Sequence, residues 1–412
     1  MKIIFSFILF LFSFLLTSLI DINIEFFCII FTFTILLLTL NGLFDDFKQP
    51  FAIFNVFYVV FLAIGLLMNT AIRLYTPISA KMVLIGYFFV NFFYFLYLLT
   101  EKNKNHSSIY KDKDKDIKRK KTLSLLAFIF ILMGYLGSIF YYLKIGTIPL
   151  FSAQSAKERI EFVSGSGVYL QLIRIGIITS IVAIFSLTRY KLFYRLSFIF
   201  LLLSILGTSF RGEFLQFIIL FLLILFYKKN ISLNYKKILV FGLLIIISSF
   251  MISLIRNDIT SNETIVFKIF NMFGVSIYNL NLVLDNIKTF YYGETYFFSS
   301  LSIIGLGKEY TQWLTSLLPI KFDGGVTPTI IGDSYLNFGE LYFIPILFIG
   351  MLLFFCEKML NKNNNNIIYI VFYCNLALYL ARSTTGGISN ITLQLVLSSI
   401  VIYTLIISSK IK

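Results

Sequence analysis

The sequence predicts an all-α, polytopic membrane protein of about twelve transmembrane helices, with one large folded outer loop. Three observations predict it. Hydrophobic residues make up 58% of the 412 residues, charged residues only 13%, and the mean hydropathy is +0.88. A soluble domain averages about 45–50% apolar and 25% charged residues. The apolar runs are continuous and lack strand alternation, so of the two structures that cross lipid, helices rather than a barrel are expected. Lysine and arginine also concentrate in alternate connections, as they do in helical membrane proteins.

Residues 2–20, 25–43, 51–68 and 81–100 are four apolar stretches near the ~20 residues that span a bilayer. Lys2 before the first run gives it the look of a signal peptide. It lacks a small-residue cleavage site and further spans follow, so an uncleaved first helix is expected. The basic connection 101–121 contains Lys111-Asp-Lys-Asp-Lys-Asp116 and the only histidine, His106. Lysines interleave its aspartates, which reads as a solvated loop rather than a metal site.

Further runs lie at 122–143, 168–187, 196–210, 212–227, 238–255, 341–360, 367–381 and 388–408. The pair at 196–227 reads as a hairpin with Arg211-Gly-Glu213 at its tip, because both flanking loops are basic. Cys28, Cys356 and Cys374 fall inside apolar runs and read as packing residues. Asn363–Asn366 is a plain connection between helices. No internal repeat is evident, and residues 1–412 are expected to form a single integral membrane domain.

Charge sets the orientation. With the amino terminus inside, inner segments hold 22 of the 35 Lys+Arg and 7 of the 20 Asp+Glu. The 13 outer basic residues are matched by 13 outer acids, so the net charge of +15 falls on the cytoplasmic side. Both termini and residues 101–121 are therefore expected inside, and 144–167 and 256–342 outside. The high pI follows from topology and implies no nucleic-acid partner. The loop 256–342 is long for a connection, and such loops are functional or disordered. Its Tyr296, Tyr310, Trp313 and Tyr335 argue for a folded one. Within it, Ile265–Ile287 mixes apolar and polar residues like a helix lying in the interface.

Arginine placement points to an anion. Topology alone pushes basic residues inward, yet Arg73, Arg159, Arg174, Arg211, Arg256 and Arg382 all fall outside or in outer helix halves. Arginine offers a planar fork suited to carboxylate or phosphate, and ionisable residues within spans default to a functional reading. The competing reading is ion pairing with the outer acids, or snorkelling to lipid phosphate. Gly212 permits close backbone approach, and the helix that follows begins with free amides. No outer His/Cys/Asp cluster would hold a metal, and no cofactor is expected.

Gly207-Thr-Ser-Phe-Arg-Gly212, the Pro149…Arg159…Gly165-Ser-Gly167 loop and Pro328-Thr-Ile-Ile-Gly-Asp-Ser-Tyr-Leu-Asn-Phe-Gly339 before a helix form a further pattern. With the layout, it resembles the oligosaccharide repeat-unit polymerases of bacteria, which build O-antigen and capsule. Their architecture is similar to that of the helical, GT-C-like glycosyltransferases that use lipid-linked sugars. The resemblance implies a metal-independent glycosyltransferase at the outer face of the bacterial cytoplasmic membrane. Its substrate would be an undecaprenyl-pyrophosphate-linked oligosaccharide, and a chain-length regulator and a flippase would be its protein partners.

The resemblance carries anion binding onto Arg159 and Arg211, with Arg174, Arg256 and Arg382 beside them. Tyr335 and Asn337 become sugar-binding candidates. Glu213, Asp333 and Glu340 are left as alternatives for the general base. A flippase or exporter is the alternative from another class, disfavoured by the absence of repeats. An O-antigen ligase would use an outer histidine, and His106 is expected inside. A membrane O-acetyltransferase would also want a histidine in the membrane. The orientation is checked by labelling single cysteines in intact cells with an impermeant thiol reagent: position 323 is expected to react and position 113 to stay silent.

Overall fold

The computed structural model describes residues 46–66, 77–100, 117–152, 166–208, 210–234, 265–298, 309–319, 326–363 and 366–409, together with a few single positions between 236 and 302. The expected spans 2–20 and 25–43 lie outside the described residues, as do most of 238–255, residues 101–116 of the basic loop and 153–165 of the first outer loop. All regular structure is helical, with no strand among the described residues.

In chain order come α1 (Pro50–Leu66), which contains a π turn at Val59–Ala63, then α2 (Pro77–Thr100), α3 (Ile117–Ile145) and the single turn α4 (Pro149–Ser152). Next are α5 (Gly167–Ser186), α6 (Lys191–Gly207), α7 (Arg211–Lys228) and α8 (Ile265–Asn286). After a 3₁₀ turn at Glu294–Phe297 follow α9 (Tyr310–Leu317) and α10 (Ile330–Phe338). A second 3₁₀ turn, Gly339–Tyr342, leads into α11 (Phe343–Lys362), α12 (Ile367–Gly386) and α13 (Thr392–Ser408).

Five stretches are long and apolar enough to cross a membrane: Ile78–Tyr97, Lys121–Ile145, Gly167–Ser186, Ile330–Lys362 and Ile367–Gly386. The chain is a helical membrane protein. Its middle is formed by α5 and α12, which are buried along most of their length. Around α5 sit α3 and α6, while α1, α7 and α11 pack on α12.

Glycine brings α3 onto α5. A Cβ on Gly176 would fall 2.9 Å from the Gly134 Cα and 2.8 Å from Leu201 Cδ1, and one on Gly137 would fall 2.8 Å from the Tyr169 carbonyl oxygen. Small residues at a membrane helix seam allow this approach, and dispersion then holds it. The other face of α3 exposes Leu125, Phe128, Leu132, Leu136, Ile139 and Leu143 at three- and four-residue spacing. In a membrane protein, that stripe is what lipid covers.

Polar ties fix the helices against one another. Asn55 of α1 and Asn91 of α2 exchange side-chain amide bonds at 2.9 and 3.0 Å. Tyr135 Oη donates to Ser197 Oγ at 3.0 Å, and Tyr142 Oη to the Ser204 carbonyl at 2.6 Å, both from α3 to α6. At one end of the bundle, Phe47 N bonds the Leu233 carbonyl, Tyr227 Oη bonds that of Lys48, and Lys228 Nζ bonds that of Phe185. This is the basic end, which also carries Lys121, Arg189, Lys191 and Arg195.

The 196–227 region forms two helices joined through residues 208–210, as expected of a hairpin. The stretch 327–340 differs from its reading as the end of a loop. Thr329 caps α10 by accepting the Gly332 amide at 3.1 Å, and Ile330, Ile331 and Leu336 are buried. Gly339, at φ +59°, then breaks the helix before α11. Residues outside the bundle share a second apolar core of Val283, Ile287, Tyr310, Leu314 and Leu336, with Trp313 packed against it. The α8 helix reaches the bundle where Gly65 lies under Phe273 and Ile277.

Filling the α3–α5 seam tests this packing. Gly176→Leu is expected to cost about 1–3 kcal/mol or more by overpacking, lowering membrane abundance several-fold in fluorescence-detected gel filtration. Gly212→Ala, where a Cβ meets nothing within 4 Å, is expected to leave abundance unchanged.

Candidate active site

At the end of the bundle away from the basic loops, α5, α7 and α12 converge on one carboxylate, and α13 adds a ligand to one of its partners. Glu213 lies in the first turn of α7, where the helix dipole favours a negative group. Arg174 of α5 grips it bidentately, with Nε 2.8 Å from Oε2 and an Nη 2.6 Å from Oε1. Both residues are buried. Arg382 of α12 reaches the same Oε1 at 3.3 Å. Its other Nη is held by Gln216 Oε1 at 3.0 Å and by Gln394 Oε1 at 3.3 Å.

The balance of charge in this cluster matters. Two guanidinium groups face one carboxylate, which leaves one positive charge uncompensated among the described residues. Arg174 is consumed by the pair, whereas the Arg382 side chain is 27% exposed and fixed by three acceptors. Arg211 opens α7 two residues before Glu213, and its side chain lies outside the described residues. Phe210 offers no side-chain cap, and its carbonyl takes the Glu213 and Phe214 amides, so the Arg211 and Gly212 amides have no acceptor among the described residues, and exposed Gly212 leaves the space above them clear.

A second polar group sits at the same end. Asp333 of α10 is fully buried, and both its oxygens are engaged inside the protein. Tyr310 Oη donates to Oδ1 at 2.6 Å, Ser389 N to Oδ2 at 2.8 Å, and Ser389 Oγ lies 2.9 and 3.0 Å from the two oxygens. Burial, then the Asp333 carboxylate beside it, push the Tyr310 phenol well above its ordinary pKa, so it remains a donor. Gly387, at φ +76°, lies so close that a Cβ there would come within 2.9 Å of Asp333 Cβ. These bonds tie α9 and α10 to the turn between α12 and α13, five to seven residues past Arg382.

Asn337 completes that knot. Its Nδ2 donates to Thr295 Oγ1 at 2.6 Å and to the Asp333 carbonyl at 2.9 Å, and its Oδ1 accepts the Gly293 amide at 2.9 Å. Expected at a sugar, Asn337 is buried and spends its amide within the protein. Tyr335 is half-buried, edge-on to Phe290 with ring centroids 5.7 Å apart. Phe290 also covers Gly339, and the next residue, Glu340, is exposed.

Of the sequence-derived candidates, Arg174, Glu213 and Arg382 are thus brought together, and Asp333 and Asn337 form a separate knot. Glu340 and Tyr335 stand near the Gly339 break. Arg159 and Arg256 lie outside the described residues. Sequence reasoning missed Gln216, Gln394, Tyr310 and Ser389. Gln216 sits one turn beyond Glu213 on the same helix face, and Ser383-Thr-Thr-Gly-Gly387 interrupts the apolar runs, so both carried a readable signal. No group of three metal-binding side chains occurs among the described residues.

Removing one member of the buried pair is expected to unfold more than removing the exposed one. Arg174→Ala leaves a buried carboxylate short of its main partner, at a cost of about 3–5 kcal/mol. Arg382→Ala leaves the Arg174–Glu213 pair intact and is expected to keep near-normal melting in a thermal-shift series.

A protein-family model described as "Putative O-antigen polymerase" matches residues 1–397. No curated protein and no solved structure matches the chain.

Proposed function

The chain belongs to the O-antigen polymerase family, and from that premise we propose that it joins undecaprenyl-pyrophosphate-linked repeat units at the outer membrane face. The growing glycan leaves its carrier pyrophosphate and passes to a sugar hydroxyl of the incoming lipid-linked unit. The observation that carries this reading is the partly exposed guanidinium of Arg382, which shares a single carboxylate with Arg174 and is oriented by Glu213, Gln216 and Gln394.

In this reading Arg382 and Arg211 meet the pyrophosphate, with the first amides of α7 beside them. Charge-assisted hydrogen bonds of this kind are worth roughly 1.5–3 kcal/mol each, and they gain strength as the leaving group acquires charge. Arg174 acts through Glu213 as a positioning residue. Glu213 is the carboxylate that aims two guanidinium groups, a role that leaves it poorly suited to accept a proton. Asp333 holds the knot below. Of the three candidate bases, Glu340 is the exposed one, beside the Tyr335 and Phe290 rings on which a sugar face can stack, and we assign it to the acceptor hydroxyl. Arg159 and Arg256 remain further anion contacts in this reading.

The surrounding architecture is proposed to follow. About twelve spans in a GT-C-like arrangement, both termini cytoplasmic, would place this end of the bundle at the outer face of the bacterial cytoplasmic membrane. A flippase would supply the substrate there and a chain-length regulator would act on the product. No step in this scheme calls for a metal.

Chain growth by the purified protein on a lipid-linked repeat unit tests the scheme, since a flippase would leave the units unjoined. Arg211→Ala and Arg382→Ala are each expected to lower the rate about 10²–10³-fold, like loss of one preorganised donor. Lysine at either position is expected to restore only part, because it offers charge without the fork. Abundance should hold, and cells should accumulate single repeat units. Long chains of normal length in a stably expressed Arg382→Ala and Arg211→Ala pair would overturn the assignment.

A further inference from the structure

The basic end of the bundle holds a cavity of about 770 Å³ between α3 and α6. Both helices lie against α5 and are tied to each other at three levels. Tyr142 reaches Ser204, Tyr135 reaches Ser197, and the hydroxyls of Ser124 and Tyr194 are 2.9 Å apart. Ser124 and Tyr194 line the cavity, so the last of these ties forms part of its wall. Lys121 and Arg189, both exposed, supply cations at its edge, and no carboxylate lines it among the described residues. Phe128 and Phe193, with ring centroids 5.9 Å apart, supply an apolar wall.

Charge and hydrocarbon therefore meet in one cleft. The apolar wall belongs to the outward stripe of α3, where Leu125, Phe128 and Leu132 are exposed, and it is met by exposed Leu192 and Leu196 of α6. A soluble anion has no use for such a wall, and a neutral lipid has no use for two cations unopposed among the described residues. The start of α6 at Lys191 adds first-turn amides that have no acceptor within the helix. Basic clefts between membrane helices are suited to anionic head groups.

We propose that this cavity binds an anionic phospholipid of the surrounding bilayer. Its phosphate sits between Lys121 and Arg189, and the upper part of an acyl chain lies against Phe128 and Phe193. The site lies at the opposite end of the bundle from Arg382, and its occupancy is independent of the polymerase reading.

The test uses the full-length protein in phosphatidylcholine nanodiscs with increasing phosphatidylglycerol, counting retained lipid by native mass spectrometry. Wild type is expected to retain one phosphatidylglycerol saturably and in preference to phosphatidylcholine. Lys121→Gln with Arg189→Gln is expected to weaken that retention about thirtyfold, while Lys121→Arg with Arg189→Lys preserves it. Lys236→Gln with Lys237→Gln removes charge outside the cavity and is expected to change nothing. Unchanged helix content by circular dichroism keeps the comparison valid, since both lining cations are exposed. Equal retention in the Lys121→Gln/Arg189→Gln variant would overturn the proposal, as would displacement of the lipid by inorganic phosphate.

Discussion

Glu213 receives two hydrogen bonds from Arg174 where both side chains are buried. Taking two charges out of water is expensive, and their attraction repays it only when geometry and further hydrogen bonds are good. Here the geometry is bidentate, and the same carboxylate also engages Arg382. Three helices are thereby held in register by one acid. The apolar seams around it follow suit: α5 supplies Arg174 and also the glycine face that α3 occupies, and α12 supplies Arg382 from the middle of the bundle. A shift of any of these helices by one turn would strand a charge.

The second constraint is the way helices are interrupted at that end. Gly339 ends α10, and Gly387 follows the end of α12, both at positive φ. Helix breaks inside a membrane protein expose backbone groups that need partners. Asp333 supplies one such partner by accepting the Ser389 amide, and Asn337 holds the Gly293 amide from the 288–298 segment. The arginine cluster and the aromatic surface near Glu340 thus share a common footing, because Arg382 and Ser389 lie on either side of the same break. An anion and a sugar bound at these two places would be held in fixed relation.

Much of this was legible in the sequence. Helical class, the hairpin around Arg211 and the ordered helices at 265–298 and 309–319 all follow from apolar run length, basic flanks and tyrosine content. Arg174 was visible because an arginine in an apolar helix demands a partner. That Glu213 is the partner was not, since pairing across 39 residues depends on how α5 and α7 cross. Asp333 shows where local reading stops. An acid among Gly, Ser, Asn and Tyr looks like a loop, yet Thr329 caps a helix there and the acid is buried. The reason is the neighbouring Ile330, Ile331 and Leu336, whose burial outweighs the polar residues between them. Asn337 is buried in the same helix.

The 288–298 segment docks on α10 through main-chain bonds as well as side chains. Tyr291 N meets the Leu336 carbonyl at 3.2 Å and Tyr292 N meets that of Asn337 at 2.9 Å. Tyr292 itself is exposed, and its backbone is left-handed. The segment's inward side chains are committed as well: Thr295 joins the Asn337 and Ser389 bonds, Phe290 covers Gly339, and Tyr291 and Phe298 meet the Trp313 ring. The strip 288–298 is therefore two-faced, with an anchored side that belongs to the frame and an outward side, Tyr292 among it, that does not. Variation on the outward side leaves the anchors untouched, much as loops vary on a rigid scaffold.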